Sequence, residues 1–174
     1  MFVYPWFPSE DMEEFEGTMG TTFWSGTFHV YIDTKNFSFS ALEETIAHEY
    51  NHCVRFNYFS PFEQTMLEAI IMEGLAEHFR EEVVGGEPSP WSKALSRKKV
   101  KQTLKKLDRE LYTSTENREL YEDIFFGGDK YERWTGYSAG YAIVGSYRNK
   151  REEVSWRKLI KIKSEEILED SYFN

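Results

Sequence analysis

The sequence predicts an α+β domain with a short β-rich beginning and a mainly helical remainder, and three observations predict it. Residues 27–33 alternate apolar and polar with period two, as a half-buried strand does. Ser40-Ala41-Leu42-Glu43 and Ser60-Pro61-Phe62-Glu63 are capping boxes, each opening a helix. Val100, Leu104, Leu107 and Leu111 recur at the period of an amphipathic helix. With 174 residues and neither repeat nor low-complexity linker, one domain is expected over 1–174, β-rich in 1–36 and mainly helical in 37–174.

Taken in order, residues 1–36 read as extended and turn structure. Gly17-Thr18-Met19-Gly20-Thr21-Thr22 reads as a turn leading into the strand, where Phe28, Val30 and Ile32 alternate with His29, Tyr31 and Asp33. The first capping box predicts a helix to about Phe56, with Leu42, Ile46 and Cys53 on its apolar face. The second box carries proline at the favoured first helical position, and its helix should end before Gly85-Gly86. A third helix follows the Pro88-Ser89-Pro90-Trp91 turn. A fourth begins near Ser138 and runs through Tyr141, Ile143 and Val144, and one or two short ones surround Trp156, Leu159, Ile160 and Leu168.

Composition narrows the classes. Fourteen Phe, eleven Tyr and five Trp predict a ring-rich core, and a net charge of −9 argues against nucleic acid as the main partner. The single cysteine, Cys53, excludes an internal disulfide and reads as packing. Met1–Pro8 has no positive charge ahead of its apolar residues and contains two prolines, so it is not read as a signal peptide. No apolar run approaches the ~20 residues of a membrane span, and the expected compartment is the cytoplasm. Between residues 93 and 106 lie Lys93, Arg97, Lys98, Lys99, Lys101, Lys105 and Lys106 without an acid, a solvated face by default and otherwise a docking surface for an acidic partner or anionic lipid.

The chemistry concentrates in His48-Glu49-Tyr50-Asn51-His52. On a helix the two histidines are one turn apart and their imidazoles converge, which suits a zinc ion. Glu49 beside them is placed to take a proton from water activated by that metal. A catalytic zinc needs three protein ligands and an open position. Glu73 shares a helical face with Met66, Ile70 and Glu77, and a carboxylate in that apolar stripe needs a positive partner. Glu73 is therefore read as the third ligand, with Glu77 or His78 as substitutes. Glu77 otherwise accepts from the outer nitrogen of a liganding histidine, and Gly74 lets two helices approach. His29 reads as a strand residue and His78 as a helix-face residue.

Ala47-His48-Glu49-Tyr50-Asn51-His52, Glu73-Gly74-Leu75-Ala76-Glu77 and Thr135-Gly136-Tyr137-Ser138-Ala139-Gly140-Tyr141 resemble a bacterial family of predicted zinc-dependent proteases within the gluzincin group. The resemblance extends from about Phe2 to Leu168. It implies a zincin-like fold, in which the strand around Phe28-His29-Val30-Tyr31 is an edge beside the active-site helix and pairs with extended substrate. It implies one zinc per chain and favours Glu73 over Glu77 as ligand. It also implies an oxyanion-stabilising side chain, for which the residues offer Tyr137 and Tyr141, Tyr137 being preferred. Family members carry further sequence before the strand region, so this chain is either a short member or lacks that piece.

The function these readings predict is a zinc metallopeptidase acting on a peptide or protein substrate. Its water is activated by zinc on His48, His52 and Glu73, with Glu49 as general base. The alternatives are a zinc-containing binding or regulatory protein without turnover, and an enzyme that needs an N-terminal segment or partner. An intact Glu49 argues against a purely structural zinc, which would more usually have four protein ligands.

Overall fold

A computed structural model describes residues 1–6, 15–151 and 154–174. The extended reading of residues 7–14 lies outside the described residues. Three strands form one sheet: β1 (Phe2–Trp6), β2 (Thr18–Trp24) and β3 (Thr27–Asp33), in the order β1-β3-β2. β1 runs parallel to β3 with Phe2 opposite His29 and Trp6 opposite Asp33. β2 pairs antiparallel with β3, Thr18 opposite Ile32, and its register shifts between Thr21 and Trp24.

The sheet corrects two expectations. Thr18–Thr22 belong to a strand, the turns lying on either side at 15–17 and around Gly26 (φ +83°), where a residue without Cβ is favoured. β3 is also the central strand and no edge; the edge beside the first helix is β2.

The helical part is α1 (Phe39–Arg55), α2 (Met66–Val84), α3 (Arg97–Leu107), α4 (Arg118–Phe126), α5 (Thr135–Lys150), and two short pieces, α6 (Trp156–Leu159) and α7 (Ser164–Glu169). α1 is capped by Ser38, which accepts from the Ala41 N–H at 3.0 Å, so the box residue Ser40 sits inside the first turn. Residues 60–63 form only a turn. α2 starts at a second Ser/Thr-x-x-Glu pattern, Thr65-Met66-Leu67-Glu68, with Thr65 accepting from Glu68 N at 3.2 Å. α2 ends at Gly85, as expected, and α5 begins three residues before Ser138. α4, nine residues long, was not foreseen.

The main core is aliphatic. Ile70, Ile71 and Leu75 of α2 pack with Leu107, Ile124, Ile143 and Val144, all fully buried. Val100, Leu104, Leu107 and Leu111 are buried together, as their spacing predicts. The ring-rich core is overturned: among the described residues six aromatic side chains are buried and none is a tryptophan, while twelve are exposed. Rings coat the molecule instead, as on the outer sheet face, where His29 and Tyr31 meet Phe2, Tyr4, Trp6 and Phe23. The basic residues of α3 are exposed, with Lys99 paired to Glu132.

A buried ion pair joins α1 to α2. Arg55, wholly inaccessible, donates to Glu68 at 2.6 and 3.0 Å, to the carbonyls of Ile160 and Ile162 at 3.2 Å each, and to Ser164 at 3.1 Å. Removing the guanidinium leaves Glu68 buried without its cation. Arg55→Ala is therefore expected to lower stability by about 3 kcal/mol in urea unfolding; a loss below about 1 kcal/mol would contradict this account of the pair.

Candidate metal centre

α1 and α2 lie side by side, and their facing sides hold the predicted ligands. The rings of His48 and His52 are one turn apart with centroids 4.6 Å from each other and planes at 89°. His48 Nε2 lies 3.1 Å from Glu73 Oε2, and His52 Nε2 lies 3.5 Å from Glu73 Oε1. One ligand atom from each of the three residues falls within 4.8 Å of the others. Donors bound to zinc at about 2.0–2.2 Å in tetrahedral geometry stand roughly 3.3 Å apart, so the donor set and its spacing fit that ion. The predicted substitutes lie differently: Glu77 is one turn behind, and His78 is turned to another helix.

Glu77 sits at the back of the site. Its Oε2 is 3.7 Å from His48 Nδ1, while Oε1 accepts from the Ser89 N–H at 2.8 Å and from Arg80. Arg80 also donates to the carbonyl of Glu87 at 3.0 Å and pairs with Glu44 at 3.3 Å, tying Glu77 to the loop after α2. The buried Nδ1 of His52 has no hydrogen-bond partner among the described residues.

Charge explains the proton state of this cluster. Burial disfavours an imidazolium at His48, but the hydrogen bond to Glu73, the Glu77 carboxylate 3.7 Å away and the Glu73 charge outweigh it and hold the group up at about 10. Burial likewise opposes the Glu73 carboxylate, and the two histidines overcome it, pulling the group down to about 2. The raised His48 value stabilises the metal-free fold fully below about pH 6.5, and that contribution is lost as pH rises through about 10. A metal takes the imidazole neutral, so binding must expel the proton. Zinc binding at pH 7.5 is expected to release at least about one proton per chain, the His48 proton and any from the bound water, and calorimetry in two buffers of different ionisation heat measures it. Release of none would contradict a protonated His48 in the metal-free protein.

Glu49 faces the sheet side of α1 and is 6% exposed. The Thr22 hydroxyl of β2 donates to Glu49 Oε2 at 2.6 Å. Gly20 of the same strand gives the carboxylate its space: a Cβ there would lie 2.2 Å from Glu49 Cγ. Sequence reading missed Thr22, because the segment read as a turn.

α5 contributes the tyrosines. Burial, then the charges of Glu73 and Glu49 with Tyr121 between, push the Tyr137 phenol well above the usual tyrosine range, so it remains a hydroxyl donor. Tyr121 of α4, also unforeseen, is pushed up by burial and by Glu73. Tyr141 points elsewhere: its hydroxyl donates to Glu81 at 3.2 Å, and its ring stacks on His78 at 4.2 Å. Burial pushes His78 down to about 4 and keeps it neutral. His29 lies on the outer face of the sheet, and Cys53 packs with Phe28 and Val30. Gly74 meets Gly140 of α5 and not α1, which corrects the expected partner of that approach. A separate cavity of about 420 Å³, lined by His78, Gly145, Arg148, Asn149, Arg151 and Val154, includes none of the triad.

A family model described as "Predicted Zn-dependent protease (DUF2268)" matches residues 1–169. Two curated relatives from Bacillus subtilis (strain 168) are similar to the chain. "Uncharacterized protein YjfC" is 27% identical over 135 residues, covering 71% of this chain and 45% of the relative. "Uncharacterized protein YjaZ" is 28% identical over 118 residues, covering 66% of this chain and 45% of the relative. The chain thus spans about half the length of these relatives. No solved structure matches it. Among the described residues, no helix is long and apolar enough to cross a membrane.

Proposed function

This chain belongs to that family of predicted Zn-dependent proteases, and from that premise we propose that it is a zinc metallopeptidase of gluzincin type with a zincin-like arrangement of sheet and helices. The observation that carries the reading is the convergence of His48, His52 and Glu73, with the Glu49 carboxylate on the next position of the same helix. Bound by the triad, zinc would supply Lewis acidity to a carbonyl and lower the pKa of water. Glu49 takes the proton of the attacking water and passes it to the leaving amine. Thr22 occupies one of its carboxylate oxygens and fixes the other. Tyr137 donates its hydroxyl to the developing oxyanion, and Glu77 orients His48 through Nδ1. The edge of β2, which carries Thr22, is the strand available for an extended substrate.

The test is cleavage of a peptide mixture by the zinc-loaded protein, read by mass spectrometry beside Glu73→Ala. We expect wild type to bind one zinc and cleave, and the variant to lose zinc and cleavage together. Tight zinc binding that survives Glu73→Ala would overturn the ligand set. A zinc-loaded wild type that cleaves nothing would overturn the peptidase reading.

A further inference from the structure

A row of rings runs from the turn before β2 to α4. Phe15 lies 4.9 Å from Trp91 between centroids, Trp91 6.2 Å from Trp134, and Trp134 5.5 Å from Tyr137. Tyr137 meets the fully buried Phe125 at 5.3 Å, and Phe125 stacks on Tyr121 at 4.6 Å. Phe126 extends the row to 6.3 Å from Trp134. Phe125 backs this wall, and the other six rings are left half-buried or exposed. α4, the start of α5, the segment around Trp91 and the turn before β2 bring these rings together; Tyr121 and Tyr137 pack on the edge of the main core, and Phe126 is exposed.

The helix crossing that carries Glu73 brings the Tyr137 end of the wall towards the candidate metal centre. Gly140 packs on Ile70 and Gly74 of α2, on either side of Glu73 in sequence, and Tyr137 precedes Gly140 by one turn of α5. The charge of Glu73 acts on Tyr137 and Tyr121 alike. Trp134 takes the left-handed conformation (φ +67°, ψ 14°), which bulky residues seldom adopt. Hydrogen bonds from Trp134 N to Phe125 O (3.2 Å) and from Ser138 N to Trp134 O (3.0 Å) hold it there, with its indole between Trp91 and Tyr137.

Resting on the peptidase reading, we infer that Phe15, Trp91, Trp134, Tyr137, Tyr121 and Phe126 form the substrate side-chain subsite, and that it takes an aromatic residue next to the scissile bond. A ring laid on this wall gains apolar burial and edge or offset stacking that an alanine cannot. Arg133 lies over the Trp134 ring at 4.3 Å and Arg118 over the Tyr121 ring at 5.0 Å, so a substrate ring stacks on the faces and edges that these guanidiniums leave. Trp134 sets the specificity, because its indole links the two halves of the row.

The experiment uses zinc-loaded Glu49→Gln protein, which binds peptide without turning it over. It is titrated with acetyl-Ala-Ala-Phe-Ala-Ala-amide and with the version carrying Ala in place of Phe. Calorimetry and tryptophan fluorescence report binding. The Phe peptide is expected to bind about tenfold or more tightly than the Ala peptide and to shift the tryptophan emission. Trp134→Gly, which keeps the left-handed backbone available, is expected to abolish that preference with zinc stoichiometry unchanged. Trp91→Ala is expected to reduce it in a protein whose α5 start is intact. Equal affinities, no measurable binding of the Phe peptide, or a preference that survives both variants would overturn the subsite. Cleavage by wild type without aromatic preference would sink the subsite alone. Trp134-dependent Phe binding without cleavage by wild type would sink the peptidase reading alone.

Discussion

Glu49→Gln is expected to leave one zinc per chain and to lower peptide hydrolysis by about 10²–10⁴-fold, the usual worth of a general base. The two side chains are nearly the same shape, and the amide oxygen still accepts from Thr22, whose hydroxyl lies 2.6 Å from Glu49 Oε2. Gly20 leaves room for either group. Neither His48 nor His52 depends on Glu49 for its contact with Glu73, so the ligand geometry is untouched. What disappears is a group that takes a proton. Metal content by mass spectrometry and initial rates on a peptide mixture separate the two effects. A variant that retains zinc and cleaves at the wild-type rate would remove Glu49 from the mechanism; one that loses zinc would give it a structural role.

The parts of this centre legible in the sequence are those made by short-range periodicity. His48 and His52 face one way because a helix turns about 3.6 residues, and Glu73 stood out as a charge among Met66 and Ile70, both fully buried. Contacts between distant segments were not legible. Thr18–Thr22 is rich in threonine and glycine and reads as a turn; only its pairing with β3 makes it a strand, and only its edge position brings Thr22 to Glu49. β1 has no buried residue and contains Pro5, which an edge strand tolerates, so neither burial nor alternation marks it. The start of α2 was misplaced because Ser60-Pro61-Phe62-Glu63 and Thr65-Met66-Leu67-Glu68 both look like caps. Met66 and Leu67 are fully buried and Phe62 is 80% exposed, so packing decides between them. The ring count misled about the core for a related reason: composition records how many rings a chain has, not which face of the fold they coat.

Gly140→Ala is expected to lower stability by about 4 kcal/mol, near the upper end for a single methyl group. α2 and α5 cross through Gly74 and Gly140. A Cβ on Gly140 would lie 1.9 Å from the carbonyl oxygen of Ile70 and 3.0 Å from Gly74 N, and one on Gly74 would lie 2.2 Å from Gly140 O. These are backbone atoms, so no rotamer relieves the clash. The helices must part by more than about 1 Å to restore a C···O separation of roughly 3.3 Å. That opens the seam between Ile70 and Leu75 on one side and Ile143 and Val144 on the other. At about 2–4 °C per kcal/mol for a chain of this size, the melting temperature should fall by roughly 8–16 °C. The same displacement carries Tyr137 away from Glu73, so turnover should fall further than zinc affinity. Gly145→Ala supplies the comparison on the same helix. Its Cβ would meet only the His78 side chain, at 3.0 Å from Nε2, and should cost roughly 1 kcal/mol. Thermal unfolding of the two variants side by side decides the matter: equal losses would mean that the Gly74–Gly140 crossing is no tighter a constraint than the Gly145 site, and a selective loss in Gly140→Ala would mean that backbone contact at this crossing is what the fold cannot relax.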